Sequence, residues 1–165
     1  MLLFAQTEGS GGVSPEWTTH LVKLLGAFHP LVVHFPIALL LTAAVLEIVS
    51  VRLKDHSGLR FAIMINLMLG TMAAVVAASL GWMDAAHMGF EPDLKPVLAW
   101  HRWLGTSVTV GSLITTVLYF RTRITPNGSH WIYRIALWLL AVVVGFTGHL
   151  GALLVYGLDY FSLSN

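Results

Sequence analysis

The stretch FHPLVVHFPIALLLTAAVLEIV, Phe28 to Val49, decides the fold. From Phe35 to Leu46 it carries no charge and one hydroxyl, Thr42. A membrane-spanning helix needs about 20 mostly apolar residues, and this run supplies them. Two histidines and two prolines at its mouth, His29, Pro30, His34 and Pro36, mark it as more than a lipid anchor. Pro30 fits the first turn of a helix. Pro36, placed inside the span, frees the carbonyl of Val32 and bends the helix.

Reading outward, the span extends over about 28–51, and three similar runs follow at about 61–85, 100–120 and 131–156. The chain has 165 residues, of which 56% are hydrophobic and 10% charged, against about 25% charged in soluble domains. The expectation is an all-α integral membrane four-helix bundle, a single domain over 14–165 behind a flexible tail, 1–13. A net charge of +1 excludes a nucleic-acid footprint. With no cysteine there is no disulfide, no thiolate metal site and no covalently attached C-x-x-C-H haem. The opening MLLFAQTEGSGG is too short in its apolar part, and lacks the basic start, for a signal peptide. Ser14 and Pro15 read as a helix cap and first turn. The helical spacing of Trp17, Leu21, Leu24, Leu25 and Phe28 suits either a helix at the membrane surface or an extension of the first span.

Four spans put both termini on one side, and the basic residues say which. Arg52, Lys54, Arg60, Arg121, Arg123 and Arg134 fall on one side, Lys23, Lys95 and Arg102 on the other. The positive-inside rule puts the first group in the cytoplasm. Both termini then face the periplasm across a bacterial inner membrane. Trp82, Trp100, Trp103, Tyr156 and Tyr160 would mark the outer interface, and Tyr119, Trp131 and Tyr133 the inner one.

With the spans placed, the eight histidines sort by side. His56 and His130 fall in cytoplasmic loops and read as solvated. His20, His29, His34, His87, His101 and His149 gather on the outer side. At 1.5 Å per residue, His34 and His149 both lie roughly 7 Å inside the outer interface, and His29 and His101 share a shallower level. Level imidazoles from separate helices suit a b-type haem standing upright in a bundle, with one axial ligand on each face. His34 with His149 is the first pairing expected. His29 with His101 would hold a second haem or contact propionates. Ala38, Gly105 and Gly145, each one turn from a histidine, would leave room for a flat ring, and Arg102 could pair with a propionate. Against this, a histidine near a helix end is usually interfacial, the ordinary reading for His20 and His87. Gly70, Ala74 and Ala78 read as helix packing, and Asn66 as an interhelical hydrogen bond. Glu47 can snorkel toward Arg52 or water, with a proton or quinone contact as the sharper reading. Asp84 could orient an imidazole as a hydrogen-bond acceptor.

The motifs HPLVVHFPIALL, WHRWLG and GHLGALLVYG resemble the bacterial membrane-protein family known as domain of unknown function 2231, over roughly 28–160. The one departure is Ala152, where the family pattern suggests glycine. That family looks like the two-haem, four-helix membrane b-type cytochromes, and its members often occur beside periplasmic c-type cytochrome domains. The resemblance implies electron transfer and carries over His29, His34, His101 and His149. The sequence therefore predicts a membrane cytochrome subunit with one or two haem b groups. It would work near the periplasmic face with a c-type cytochrome or other redox subunits, in lipid, with quinone as a further candidate partner. Two other classes stay open: a cofactor-free structural subunit of a respiratory or photosynthetic complex, and a copper or zinc site.

Overall fold

The computed structural model describes residues 16–53, 57–124 and 130–161, without the side chains of 160 and 161. The tail expected over 1–13, the Ser14–Pro15 cap and His56 lie outside the described residues, as does the side chain of Tyr160. The described residues form helices α1 Glu16–Gly26, α2 His29–Val32, α3 His34–Arg52, α4 Ser57–Ala85, α5 Lys95–Ile124 and α6 His130–Tyr156, with short 3-10 turns before α5 and after α6, and no strand.

Four stretches are long and apolar enough to cross a membrane: Glu16–Arg52, Ser57–Ala85, Pro92–Ile124 and His130–Tyr156. The 29 residues of α4 alone reach about 43 Å, more than the roughly 30 Å of hydrocarbon in a bilayer. Large apolar side chains point outward along every span, among them Phe61, Met72, Val110, Leu113, Val142 and Phe146. In water such a belt would drive aggregation; in lipid it is the solvated surface. The protein is an all-helical membrane protein.

Pro36 explains the break in the first span. The pyrrolidine nitrogen has no hydrogen to offer the Val32 carbonyl. Accordingly α2 stops at Val32 and α3 restarts at His34, while Ile37 N reaches back to Val33 O at 3.3 Å. The chain turns a second time after Gly26, where α1 crosses α4. A Cβ at Gly26 would stand 2.7 Å from the backbone nitrogen of Asp84, so only glycine permits so close a crossing. Helix α1 is thus neither free nor remote: it leans on the end of α4 while Trp17 and Leu24 stay exposed.

Each long helix packs on the next, and α6 returns to α3, closing the bundle. Leu40, Ala43, Ile63, Leu67, Leu137 and Val144 are among the residues that fill its centre. A Cβ at Gly70 would lie 2.9 Å from Leu40, and Ala74 and Ala77 are buried beside it. These small residues let α3 and α4 approach, as membrane helices require where packing substitutes for a hydrophobic drive. Ala78 is only half-buried. Helix α5 is held differently, by hydroxyls: Thr71 and Thr116 share a hydrogen bond of 3.0 Å, and Thr109 donates to Ala74 O at 3.1 Å.

Several polar and aromatic details emerge. Asn66 donates its amide to Ala62 O one turn back, within its own helix. Tyr119 and Tyr133 are buried in the bundle, 4% and 2% exposed, packed edge-to-face 5.2 Å apart. Glu47 does not reach toward Arg52. It is 6% exposed, accepts from Arg134 Nε at 2.7 Å and accepts from the Tyr133 hydroxyl at 3.3 Å. A buried carboxylate needs a cation and a hydrogen-bond donor as partners, and α6 supplies both.

Candidate functional site

The end of the bundle that carries the HP motif holds the densest chemistry. His29 and His101 stand with ring centroids 6.1 Å apart and planes at 78°. Each is fixed in the same way. His29 Nδ1 lies 2.9 Å from Ala77 O on α4, and His101 Nδ1 lies 3.0 Å from Thr147 O on α6. A carbonyl only accepts, so Nδ1 carries the hydrogen in both rings. In the neutral imidazole this leaves the Nε2 lone pair available as a ligand, the arrangement that orients metal-bound histidines.

Four residues beyond each acceptor carbonyl sits a glycine. A Cβ at Gly81 would come within 2.7 Å of the His29 ring, and one at Gly151 within 3.1 Å of the His101 ring. The bundle is therefore two copies of one device. In each, a histidine precedes or opens a helical hairpin, crosses to the hairpin's second helix about 50 residues on, donates to a carbonyl and lies on the glycine of the next turn. Both hairpins start at the same end, as in any up-and-down bundle, so the two imidazoles share that end.

Beside the pair, Arg102 lays its guanidinium 3.8 Å above the Trp82 ring. Trp82 in turn donates to Thr106 at 3.2 Å and packs edge-to-face on Trp103. This stack buries Arg102 Nε, which has no hydrogen-bond partner in the described structure. A buried guanidinium donor without an acceptor is costly, and an anionic group at this place would relieve it.

His34 and His149, first paired by depth, lie on α3 and α6, where a Cβ at Gly148 would stand 4.0 Å from Ile37. Both are exposed on the bundle's outside. The Cβ position of Gly145 has nothing within 4 Å, and Ala38 is exposed, so the seam is open beside them. Gly105 touches only Thr147, at 4.0 Å. His87 bonds Met83 O within its own turn, and His20 sits 3.7 Å from Glu16 at the surface. His130 is not a loop residue; it opens α6, half-buried. Asp84 contributes its backbone to the Gly26 crossing, and the acceptors that orient the two inner imidazoles are the carbonyls of Ala77 and Thr147 instead. Sequence reasoning missed these carbonyls, both glycine beds and the Trp82 stack. The similar offsets, 52 residues from His29 to Gly81 and 50 from His101 to Gly151, were the signal that could have revealed them.

Among the described residues no three of His, Cys, Asp and Glu converge to hold a metal ion. A haem held by two imidazoles needs only a pair. An imidazole nitrogen sits about 2 Å from its metal, and its ring centroid roughly 1 Å further. Two imidazoles on opposite faces of one iron therefore stand about 6 Å apart, close to the 6.1 Å found. Two imidazoles in a tetrahedral site would stand nearer, about 5 Å apart.

The glycine bed gives a direct expectation. Gly81→Ala pushes a methyl into the His29 ring and should lower the stability of the purified chain, measured by reversible unfolding in mixed detergent, while the helical content is kept. Overpacking of this kind costs about 1–3 kcal/mol.

The family model described as Predicted membrane protein (DUF2231) matches residues 26–160. No curated protein and no solved structure matches the chain.

Proposed function

We propose that this chain, which belongs to the DUF2231 family of predicted membrane proteins, is a b-type cytochrome subunit that holds a haem between His29 and His101 and passes electrons at that end of the bundle. The observation that carries the reading is the matched pair: two imidazoles from separate hairpins, each with Nδ1–H committed to a carbonyl, 6.1 Å apart. Edge-to-face packing alone tolerates 4.5–7 Å, but it does not call for two identical orienting bonds or two glycine beds. Gly105, where a Cβ would meet the Thr147 side chain only at 4.0 Å, leaves room for a flat macrocycle, and Arg102 suits a propionate.

Bound between two imidazoles, the haem iron would supply a one-electron couple and no open coordination position. The protein's own part is to fix both rings, to keep water from the iron with the apolar helices, and to neutralise a carboxylate edge through Arg102. His34 and His149 are the residues for a second haem, in the open α3–α6 seam, where a neighbouring subunit or lipid would cover it. The excess of arginine at the opposite end favours a periplasmic position for the histidine end, and hence both termini there, across a bacterial inner membrane. A periplasmic c-type cytochrome or another redox subunit is the partner that position suits.

The test is a reduced-minus-oxidised spectrum of the purified full chain. The proposal requires a b-type difference signal. A colourless chain carrying copper or zinc would favour the metal reading, and a colourless, metal-free chain the scaffold reading.

A further inference from the structure

The opposite end of the bundle contains a second polar site, apart from His29 and His101. A cavity of about 220 Å³ lies where α3, α4, α5 and α6 meet, lined by Glu47, Ser50, Arg60, Thr122, His130 and Arg134, among others. It has room for about seven waters at roughly 30 Å³ each.

The charges and protons around it are specific. Glu47 is already matched by Arg134 at 2.7 Å and by the Tyr133 hydroxyl. Arg60 lines the cavity and has no ion pair among the described residues. Arg123 stacks near the Tyr119 ring at 5.4 Å and donates to its hydroxyl at 3.2 Å, adding positive field nearby. The hydroxyl hydrogens are spoken for: Ser50 donates to Glu47 O, Thr122 to Tyr119 O, and Tyr119 to Arg60 O. Their oxygens retain lone pairs. The cavity thus offers cationic donors together with neutral acceptors. A ligand that matches has a negative phosphate and hydroxyl hydrogens of its own.

Quinol is the other candidate. Glu47 lies 18 residues from His29 along the first span, about 27 Å at the helical rise. A quinol here would be too far from a haem at His29 and His101 for a single electron step. We infer that the cavity binds a phosphate-bearing anion, with Arg60 as the charge partner and the Ser50 and Thr122 oxygens accepting from hydroxyl groups. An anionic phospholipid headgroup such as phosphatidylglycerol supplies both features at this depth, since basic pockets between membrane helices suit such headgroups. Inorganic phosphate shares the anion but brings no acyl chains.

The test uses the full chain, delipidated and placed in phosphatidylcholine nanodiscs. Phosphatidylglycerol is then titrated in one arm and inorganic phosphate in another, with bound ligand read by native mass spectrometry. Arg60→Gln keeps the size and polarity of a half-exposed side chain. Removing one charge-assisted bond of 1.5–3 kcal/mol weakens binding about tenfold or more. Tighter retention of phosphatidylglycerol than phosphatidylcholine, lost in Arg60→Gln, supports the headgroup source. Saturable inorganic phosphate binding with the same Arg60 dependence supports the free anion. Ser50→Leu, which fills the cavity, should abolish either. Binding that ignores Arg60→Gln, or no preference for phosphatidylglycerol and no phosphate uptake, overturns the inference.

Discussion

Alanine at His29 and alanine at His101 are expected to remove the same haem. Each substitution should abolish one b-type difference band in full, because one imidazole alone leaves an open, exchangeable iron in a site whose other wall is gone. The expectation rests on the shared geometry: rings 6.1 Å apart, each oriented by a carbonyl of its own hairpin's second helix. Alanine at His34 or His149 should leave that band intact, since both residues face outward. Any second band should disappear with both of these together. Absorbance at the reduced band, normalised to protein, separates the cases. Loss of one band on His29→Ala and of a different band on His101→Ala would break the pairing. So would retention of full haem in either variant.

The second large effect concerns stability and lies at the other end. Arg134→Ala strips the only ion-pair partner that Glu47 has among the described residues and leaves a carboxylate that is 6% exposed. Breaking a buried pair from one side costs 3–5 kcal/mol. Arg134 is itself 38% exposed in its side chain, so a loss of about 3 kcal/mol, the lower end, is expected. The double variant Glu47→Leu with Arg134→Leu should recover most of it, since an apolar pair carries no desolvation penalty. Reversible unfolding in mixed detergent measures both. A single variant that unfolds with the wild type, or a double variant as unstable as the single, would show that the pair contributes through packing rather than charge.

How much of this was legible in the sequence differs between the two ends. Spans and bundle follow from apolar runs, which act through composition and need no knowledge of partners. The break at Val33 follows from Pro36, a local covalent effect. The expected level of His34 with His149 rests on counting residues alone. What counting cannot give is rotation: one residue turns a side chain by 100° about its helix, and so His34 points out while His29, on the short α2, points to α4. The fate of Glu47 was hidden for the same reason. Arg52 is near in sequence, but Arg134, 87 residues away, is the partner that the α3–α6 contact delivers. Asn66 and the two core tyrosines show the complementary limit, since residue type alone does not say whether a polar group finds its own helix or a neighbour.

The account stands most directly on a pyridine haemochrome count of the purified full chain beside its His29→Ala/His101→Ala double variant. It predicts haem b at one per chain, or two if the outward pair is also filled, and exactly one fewer in the double variant. Equal haem content in the two proteins, or none in either, would contradict it.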